Sequence, residues 1–366
     1  MQQKTRVAVL FGGRSAEHEV SLQSARNVID AIDKEKYESV LIAIDRNGAW
    51  FLNDESLPLL NTDNPRLIAL NGCHDPVSLI PGDQAGVLVN PQSPTAIQAV
   101  DVIFPVLHGP YGEDGSIQGL AKLANVPCVG SDILGSAICM DKDVSKRLLR
   151  DAGIPVARHL CLRRNDLTSE LAVQVAQKLG YPAYVKPANM GSSVGVVRVM
   201  DAAALIPAIN SALQYDSKVL IEEEITGREI ECSVLGNEDP QASTVGEIET
   251  SDGFYSYEKK YIDDTAAVLK IPAELDQATL KRVQDTSVTA FKALECRGMA
   301  RVDMFLTAEG EIFVNEINTI PGFTAISMYP KLWQASGISY TQLIDSLIQL
   351  ALQEHDIKNK LIATGY

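Results

Sequence analysis

The chain has 366 residues, of which 46% are apolar and 22% are charged, and its formal net charge is −15. This length predicts two or three subdomains, and the composition is typical of a globular protein. The acidic balance argues against nucleic acids and anionic membranes as general partners, so any polyphosphate site must be locally basic. No run of 18 or more apolar residues occurs, which argues against a membrane span.

The six cysteines show neither CxxC pairing nor the spacing of a zinc site with histidine. They are Cys73, Cys128, Cys139, Cys161, Cys232 and Cys296. Most lie in apolar stretches, which indicates buried free thiols in a reducing compartment. The first residues, MQQKTRVAVLFGG, fit a first strand better than a secretion signal. We therefore expect a cytoplasmic protein.

The first third of the chain has the pattern of a doubly wound α/β domain, which we expect to span residues 1–130. Its predicted elements are a strand at 6–11, a helix at 19–32, and strands at 40–45 and 102–107. Residues 53–94 are rich in Pro, Asn, Asp and Gly, and predict an irregular excursion that holds only short strands.

Two further subdomains of α+β type are expected to follow, at residues 131–217 and 218–366. The first opens with a helix that carries Lys142 and ends at the break before Pro155, and strands and helices then alternate. In the second, strands dominate up to a helix at 276–294. The last predicted helices cover 329–336 and 340–355.

The segment 298–322, GMARVDMFLTAEGEIFVNEINTIPG, predicts a hairpin with a chemically functional face. Apolar and polar residues alternate in its first half, and TAEG is a plausible turn. If Leu306 pairs with Glu311, Asp303 faces Val314, and Glu316 lies diagonally from Asp303, at roughly 7–8 Å between Cβ atoms. Asp303, Glu316 and Asn318 would then offer three hard oxygen ligands, which suit Mg²⁺. The alternative is a half-exposed hairpin with a solvated polar face.

A second motif, YPAYVKPANMGSSVGVVRV at 181–199, is a strand, a Gly/Ser-rich loop and another strand. The backbone N–H groups of such a loop can hold phosphate oxygens, with Lys186 as the cation. It is not a Walker A loop, and an ordinary hairpin loop is the alternative. Lys142 is a second candidate phosphate ligand, or else part of a solvated helix face.

Carboxylates at 218–236 are candidate nucleotide contacts. Glu222 ends an apolar strand, and Glu229 lies in the next alternating strand. Each could accept from an adenine amine or a ribose hydroxyl, although a run of glutamates usually indicates solvent exposure.

HGPYGEDGSIQG, at 108–119, follows a strand and enters a helix, which is where open α/β sheets bind ligands. We expect His108 near the ligand, and Glu113 with Asp114 as helix-capping acids. Glu17 either salt-bridges a ligand ammonium at the same sheet edge or complements the dipole of its helix. The aromatic and charged segment FYSYEKKYIDD, at 254–264, predicts a loop that could close as a lid.

Two of these motifs, HGPYGEDGSIQG and RVDMF with NEINTIPGFT, resemble the signatures of ATP-grasp carboxylate–amine ligases, and among them the longer, A-type D-alanine–D-alanine ligase family. The resemblance covers essentially the whole chain. It implies an ATP-grasp fold of three domains, in which two α+β subdomains clamp ATP. It also implies ligation of two D-alanines through an acyl phosphate, for peptidoglycan precursors.

The resemblance assigns substrate roles to individual residues. Glu17 would bind the ammonium of the first D-alanine, with Ser192 and Tyr261 hydrogen-bonded to it, and His108 would lie beside that substrate. Arg301 and the backbone of Gly322 would stabilise the oxyanion. The carboxylate of the second D-alanine would lie at Ser327 and Met328.

The resemblance also implies the nucleotide and metal sites. The implied ATP contacts are Lys142, Lys186, Lys260, Ser193, Glu222, Glu223, Ile225, Glu229 and Asn315. Asp303, Glu316 and Asn318 would hold two Mg²⁺ ions, for which Mn²⁺ could substitute. A homodimer is expected.

Three other functions stay open. A D-alanine–D-lactate ligase needs no change of fold, although a tyrosine at Tyr261 resembles the dipeptide-forming enzymes. Another ATP-grasp amino-acid ligase is the second alternative. The third is a module that senses nucleotide without turnover, against which the complete metal set and Arg301 argue.

Overall fold

The computed structural model describes residues 3–53, 59–60, 68–70, 75–81, 86–168, 170–250 and 267–361. Its first part contains ten strands and two helices in the described residues. The strands are β1 (Thr5–Gly12), β2 (Tyr37–Ile44), β3 (Trp50–Asn53), β4 (Leu59–Leu60), β5 (Ala69–Leu70), β6 (Asp75–Pro76), β7 (Ser78–Leu79), β8 (Val87–Asn90), β9 (Ser93–Ala99) and β10 (Val102–Val106). The helices are α1 (His18–Ala31) and α2 (Ser116–Leu123).

The predicted α/β arrangement of the first part is confirmed. Its five-stranded sheet has the order β10-β1-β2-β3-β6, with β1 parallel to both β10 and β2. Residues 7–11 of β1 are fully buried, because apolar side chains cover both faces of this central strand. The carboxyl ends of β1 and β10 therefore lie side by side, which brings the segments after Gly12 and Val106 to one edge of the sheet.

The second part begins with two helices, α3 (Ile133–Met140) and α4 (Lys142–Asp151). A sheet of order β11-β14-β12-β13 follows, whose neighbours are all antiparallel. Its strands and helices are β11 (His159–Arg163), α5 (Leu171–Lys178), β12 (Ala183–Pro187), β13 (Val197–Val199), α6 (Ala202–Ala212) and β14 (Lys218–Glu223). Apolar residues of α5 and α6 pack with those of β12 and β14 in one core. The strands β12, β13 and β14 were predicted from the sequence, whereas β11 and α3 were not.

The third part contains an antiparallel sheet of order β17-β16-β15-β18-β19. Its elements are β15 (Arg228–Gly236), β16 (Gln241–Thr250), β17 (Ala267–Lys270), α7 (Gln277–Ala293), β18 (Gly298–Leu306) and β19 (Ile312–Asn318). The final helices are α8 (Met328–Ala335) and α9 (Tyr340–Asn359). No described helix is long and apolar enough to cross a membrane.

The hairpin β18–β19 exists as predicted, but its predicted register is wrong. Leu306 pairs with Ile312, and a bulge shifts the pairing so that Asp303 lies directly opposite Glu316. Ile312 and Val314 are buried, whereas Glu316 is only partly buried. One extra residue in β19 thus turns Glu316 to the other face of the strand, because side chains alternate. Asp303 and Glu316 are therefore directly opposite one another, instead of diagonal neighbours as predicted.

The cysteines in the described part of the chain are free. Cys139, Cys232 and Cys296 are buried as predicted, whereas Cys161 is exposed. The Sγ atoms of Cys139 and Cys296 lie 3.4 Å apart, between α3 and the segment before β18.

The last helix packs against the first part of the chain. One apolar core contains side chains of β1 and α1 together with those of α8 and α9, including the fully buried Leu347. Phe323 lies in the same core, and its ring makes an edge contact with Phe104 at 6.0 Å between centroids. The two ends of the sequence are therefore folded around a common interior.

We predict that Leu347→Ala destabilises the protein by about 2–5 kcal/mol, because it removes buried methyl groups and leaves a cavity. Ile357→Ala is the matched control on the same helix, since Ile357 is 46% exposed, and it should change stability little. Denaturant unfolding of both variants measures the difference. Equal losses for the two would contradict the described packing of α9.

Candidate functional site

A buried carboxylate shared by two lysines forms one wall of the site. Lys186 on β12 and Glu222 on β14 are diagonal neighbours across the sheet, with 2.6 Å between Nζ and Oε2. Lys146, on α4, approaches the other oxygen of Glu222 at 3.3 Å. Both lysines also donate to Asn315 in the bulge of β19, Lys186 to its side-chain oxygen and Lys146 to its backbone carbonyl. The group thereby joins α4 and both antiparallel sheets.

The charges of this group depend on one another. Burial alone would raise the pKa of Glu222, but Lys146 and Lys186 outweigh burial and hold that pKa at about 2. Burial also acts to lower the pKa of Lys186, yet Glu222 and further carboxylates raise it above its usual value. For Lys146 burial is stronger than the attraction of Glu222, so its pKa is lowered. Glu222 therefore stays ionised and keeps Lys186 protonated.

Lys142 is the first residue of α4 and lies next to the predicted metal ligands. Its Nζ donates to the carbonyl of Met190 at 2.7 Å and lies 3.3 Å from Oε2 of Glu316. The Met190 contact connects it to the Gly/Ser-rich loop that follows β12. The alternative that Lys142 belongs to a solvated helix face is wrong, because only 11% of its side chain is exposed.

Asp303, Asn318 and Arg301 lie together at the end of the hairpin. Two nitrogen atoms of Arg301 donate to the two oxygens of Asp303, each at 2.7 Å. Asn318 donates its side-chain amide to Asp303 at 3.0 Å. Arg301 also reaches Glu231 on β15, with 3.0 Å between Nε and Oε2. Arg301 thus lies between two carboxylates of neighbouring strands.

The donor set of this hairpin fits a hard divalent cation. Asp303 and Glu316 lie opposite one another and, with Asn318, supply two carboxylates and one carboxamide, all oxygen donors of the kind that Mg²⁺ accepts. No group of three or more His, Cys, Asp and Glu side chains arranged to hold a metal occurs among the described residues. Arg301 and Lys142 now neutralise those carboxylates.

Glu17 and Ser192 come together from distant parts of the sequence. The hydroxyl of Ser192, in the Gly/Ser-rich loop, donates to Oε1 of Glu17. A Cβ atom at Gly109 or Gly191 would lie within 2.9 to 3.0 Å of the other Glu17 oxygen, so two glycines form the wall around this carboxylate. Glu17 immediately precedes α1, is 7% exposed and makes no side-chain capping bond to the helix. Glu17 thus contacts the Gly/Ser-rich loop and does not cap the helix, while its alternative role of complementing the dipole of α1 stays a prediction.

His108 is buried at the end of β10 and connects to the loop after β19. Its Nδ1 lies 3.0 Å from the carbonyl of Ile320, and its Nε2 lies 3.3 Å from the hydroxyl of Ser24. Burial lowers the pKa of His108, although Glu17 acts in the opposite direction. A neutral ring that donates from Nδ1 to Ile320 and accepts from Ser24 satisfies both contacts.

The prediction that Glu113 caps α2 is wrong. Its two oxygens accept from the backbone N–H groups of Gly109, at 2.8 Å, and Ile320, at 2.9 Å. Burial, and next the charge of Glu17, raise the pKa of Glu113 to about 8. Asp114 alone keeps a local role, since it accepts from the backbone N–H of Ser116 at the start of the helix.

The residues predicted for the second substrate lie together after the hairpin. A Cβ atom at Gly322 would be 2.6 Å from Oγ of Ser327, so these residues are in close contact. Ser327 Oγ also accepts from the N–H of Thr324 at 2.9 Å. Met328 buries its side chain next to Gly246 and Leu332, which leaves its backbone, at the first position of α8, as the part that can meet a ligand.

The other predicted nucleotide contacts are spread along the strands that flank Lys186. The carboxylate of Glu223 accepts from the backbone and side chain of Arg158, so it is engaged at the surface. Ile225 is half-buried in the link between β14 and β15, and Glu229 lies on β15 opposite Phe305. Ser193 adopts a left-handed φ of 59° in the Gly/Ser-rich loop. Lys260, Tyr261 and the whole predicted lid lie outside the described residues.

Sequence reasoning missed two residues of this site. Lys146 was not singled out on its predicted helix, yet it is fully buried. The available signal was its i, i+4 spacing from Lys142, which places both on one helix face. Glu113 was read as a cap, and no local pattern indicates that its partner is more than 200 positions away.

Two antiparallel sheets that meet through Lys186, Glu222 and Asn315, joined to a doubly wound α/β part, define the ATP-grasp class of fold. Residues 6–131 match the family described as D-ala D-ala ligase N-terminus, and residues 148–349 match D-ala D-ala ligase C-terminus. The chain belongs to the D-Ala–D-Ala ligase family, and the predicted membership is confirmed.

Individual relatives agree over nearly the full chain. The D-alanine–D-alanine ligase of Oceanobacillus iheyensis is 52% identical over 358 residues, which cover 98% of both sequences. The structure of VanG D-Ala:D-Ser ligase from Enterococcus faecalis is 40% identical, with a TM-score of 0.84 over 95% of this chain and 100% of that one. D-alanine–D-alanine ligase from Bacillus anthracis, complexed with ATP, is 31% identical, with a TM-score of 0.73 over 98% and 100%.

We predict that replacing Glu222 with Gln destabilises the protein most near neutral pH. The folded-state pKa of Glu222 is about 2, below the ordinary value of 4.5, so its contribution is present above pH 4.5 and is lost as pH falls towards 2. Above pH 4.5 the variant leaves Lys146 without its buried anion, at a cost of roughly 3–5 kcal/mol.

Denaturant unfolding of both proteins from pH 7 to pH 3 measures this dependence. The difference between wild type and Glu222→Gln should shrink as pH falls, since protonated Glu222 resembles Gln. Glu311→Gln, on the exposed hairpin turn, controls for the loss of a carboxylate. A difference that does not depend on pH would contradict the ionised state of Glu222.

Proposed function

We propose that this protein is an ATP-dependent ligase that joins two molecules of D-alanine into D-alanyl-D-alanine and releases ADP and phosphate. The proposal rests on family membership together with one observation about the site. The structure holds Glu17 against the Gly/Ser-rich loop, Lys142 against Glu316, and Lys186 against Glu222, and it pairs Asp303 with Glu316. D-alanyl-D-alanine is a peptidoglycan precursor, and the use of ATP places the reaction in the cytoplasm. We also infer a homodimer, from the family alone.

The first substrate would be oriented by its ammonium group. The carboxylate of Glu17 is enclosed by two glycines and oriented by Ser192, so it offers a preformed anion to a small amino acid. Burial lowers the pKa of His108, against the charge of Glu17, which favours the neutral ring and adds no competing cation. Small residues around Glu17 favour a small substrate.

A carboxylate does not react with an amine at neutral pH, since oxide would have to leave. Transfer of the γ-phosphoryl group from ATP converts that oxygen into phosphate, which leaves readily. Such a transfer needs positioning and neutralisation of charge more than covalent help. Lys142 and Lys186 would supply cations to the phosphates, and Lys260 would add a third. Asp303, Glu316 and Asn318 would hold Mg²⁺, which would supply positive charge to the phosphates.

The second D-alanine then attacks the acyl carbon as a free amine, and an oxyanion forms. Arg301 is held in place by Asp303 and Glu231, so its guanidinium is already oriented when negative charge develops. The N–H of Gly322 would be the second donor. Ser327 and the backbone of Met328 would bind the carboxylate of the attacking amino acid. Tyr261 and the lid would exclude water from the acyl phosphate.

We predict stoichiometric ADP, phosphate and D-alanyl-D-alanine when the protein receives ATP, Mg²⁺ and D-alanine, and no turnover with L-alanine. Chromatographic product analysis alongside phosphate release tests this. Parallel reactions with D-lactate or D-serine test the ester-forming and D-serine alternatives. A mixed product formed in preference to the D-alanine dipeptide would reject the proposed substrate. ATP binding without any amino-acid-dependent turnover would reject the enzyme and favour the nucleotide-sensing module.

We predict that Asp303→Asn raises the Mg²⁺ concentration for half-maximal turnover by about 10–100-fold, because it removes one charged ligand. Glu311→Gln is the control, since it removes a carboxylate from the turn of the same hairpin. Binding of Mn²⁺ in the presence of ADP, followed by electron paramagnetic resonance, gives a second measurement without catalysis. Unchanged Mn²⁺ affinity in Asp303→Asn would exclude Asp303 as a ligand.

A further inference from the structure

The backbone N–H and carbonyl of Ile320, just after the hairpin, are both held by side chains of the α/β part of the chain. The N–H of Ile320 donates to Oε1 of Glu113 at 2.9 Å, and its carbonyl accepts from Nδ1 of His108 at 3.0 Å. Glu113 and His108 belong to one short segment that follows β10, whereas Ile320 follows β19. Two side chains from one part of the molecule thus fix a single backbone residue of another.

A second anchor lies three residues further along the same loop. The N–H of Phe323 donates to Oγ of Ser24 at 3.1 Å, and its carbonyl accepts from Asn27 at 3.0 Å. Ser24 and Asn27 are on α1, and Ser24 also contacts His108. Gly322, which has no side chain to anchor it, therefore lies between two residues, Ile320 and Phe323, whose backbones are held by hydrogen bonds.

Glu113 connects this loop to the surroundings of Glu17. Its second oxygen accepts from the N–H of Gly109 at 2.8 Å. Gly109 forms part of the wall around Glu17, since a Cβ there would lie 2.9 Å from a Glu17 oxygen. One carboxylate consequently sets the distance between the wall of the Glu17 pocket and the loop that carries Gly322 and Ser327.

We propose that Glu113 is a positioning residue, which acts with His108 to hold the loop 319–327 at a fixed distance from Glu17 and so aligns the two amino-acid substrates. This inference rests on the proposed function, because Gly322 and Ser327 serve the second substrate there. Glu113 itself touches neither substrate in this scheme. Its effect is on the geometry of attack.

A carboxyl group suits this role for a chemical reason. Both of its oxygens can accept, in the ionised form and in the protonated form that a pKa of about 8 favours near neutral pH, so Glu113 accepts two backbone N–H groups, one on each oxygen. The carboxamide of glutamine has one accepting oxygen and would turn an NH₂ group towards the other N–H. Glu113→Gln preserves size but must lose the Gly109 bond or the Ile320 bond. A displacement of about 1 Å between reacting groups can reduce a rate by about 10²-fold.

Two measurements on Glu113→Gln test the inference. In the free protein, hydrogen exchange of the peptide that covers residues 319–324, or of the peptide that covers Gly109, should become faster by about tenfold or more, because the amide of Ile320 or of Gly109 loses its acceptor. In turnover, kcat/KM for the second D-alanine should fall about 10–100-fold. The KM for ATP should stay within about twofold, and phosphate released per dipeptide should rise above one.

Asp114→Asn is the matched control, because Asp114 accepts from Tyr111 and Ser116, both within its own segment. It should leave exchange and coupling within about twofold of wild type. If Glu113→Gln does not fold, Ser24→Ala replaces it, since that variant frees the N–H of Phe323 and should give the same two changes.

The outcomes separate this inference from the proposed function. Faster exchange together with uncoupled phosphate release supports it. Unchanged exchange, or a uniform loss of all kinetic parameters with one phosphate per dipeptide, overturns it in either folded variant. A wild-type protein without ligase activity would overturn the proposed function, whereas the exchange measurement would still decide whether Glu113 holds the loop.

Discussion

The ionised carboxylate of Glu222 is the constraint on which the nucleotide side of this protein depends. It is almost completely buried, and it lies between two lysines that come from different elements, Lys146 on a helix and Lys186 on a strand. Without this anion both cations would lie in the interior unpaired, a strongly destabilising state. Because the same lysines bind Asn315, the charge balance also determines how the two antiparallel sheets meet. Stability and the proposed phosphate binding therefore involve one group.

The amino-acid side is organised by hydrogen bonds to backbone instead. Glu113, His108 and Ser24 are contributed by the α/β part, and their partners are peptide groups of the loop after β19. Such contacts place a loop accurately without giving it side chains that would fill the substrate space. The two halves of the site thus differ in their interactions: compensating charges lie where phosphates are expected, and directional hydrogen bonds lie where the amino-acid substrates are expected.

Much of this arrangement could be predicted from sequence because strands and helices of regular period dominate it. The residues of the hairpin were found from alternation alone, yet the predicted register was wrong, since the alternation was continued past Asn315 although the apolar residues change parity there, from Val314 to Ile317. Lys146 and Glu113 were undervalued for another reason. They contact residues distant in sequence, so local rules did not single out Lys146 and described Glu113 as a cap. The lid with Lys260 and Tyr261 stays a prediction.

The bulge in β19 has a consequence for how this sequence can change. Before the bulge, the even-numbered residues Ile312 and Val314 face the core, and beyond it the odd-numbered Ile317 does so, which leaves Glu316 and Asn318 to the site. The strand therefore changes parity once, between its structural and its chemical half. A regular ladder of the same length would exchange the two sets, with carboxylates inward and apolar groups outward. Deletion of Asn315 would keep Glu316 and Asn318 on the site face, but it would remove the oxygens that Lys146 and Lys186 contact. The bulge therefore maintains both the parity of this strand and the contacts of two buried lysines.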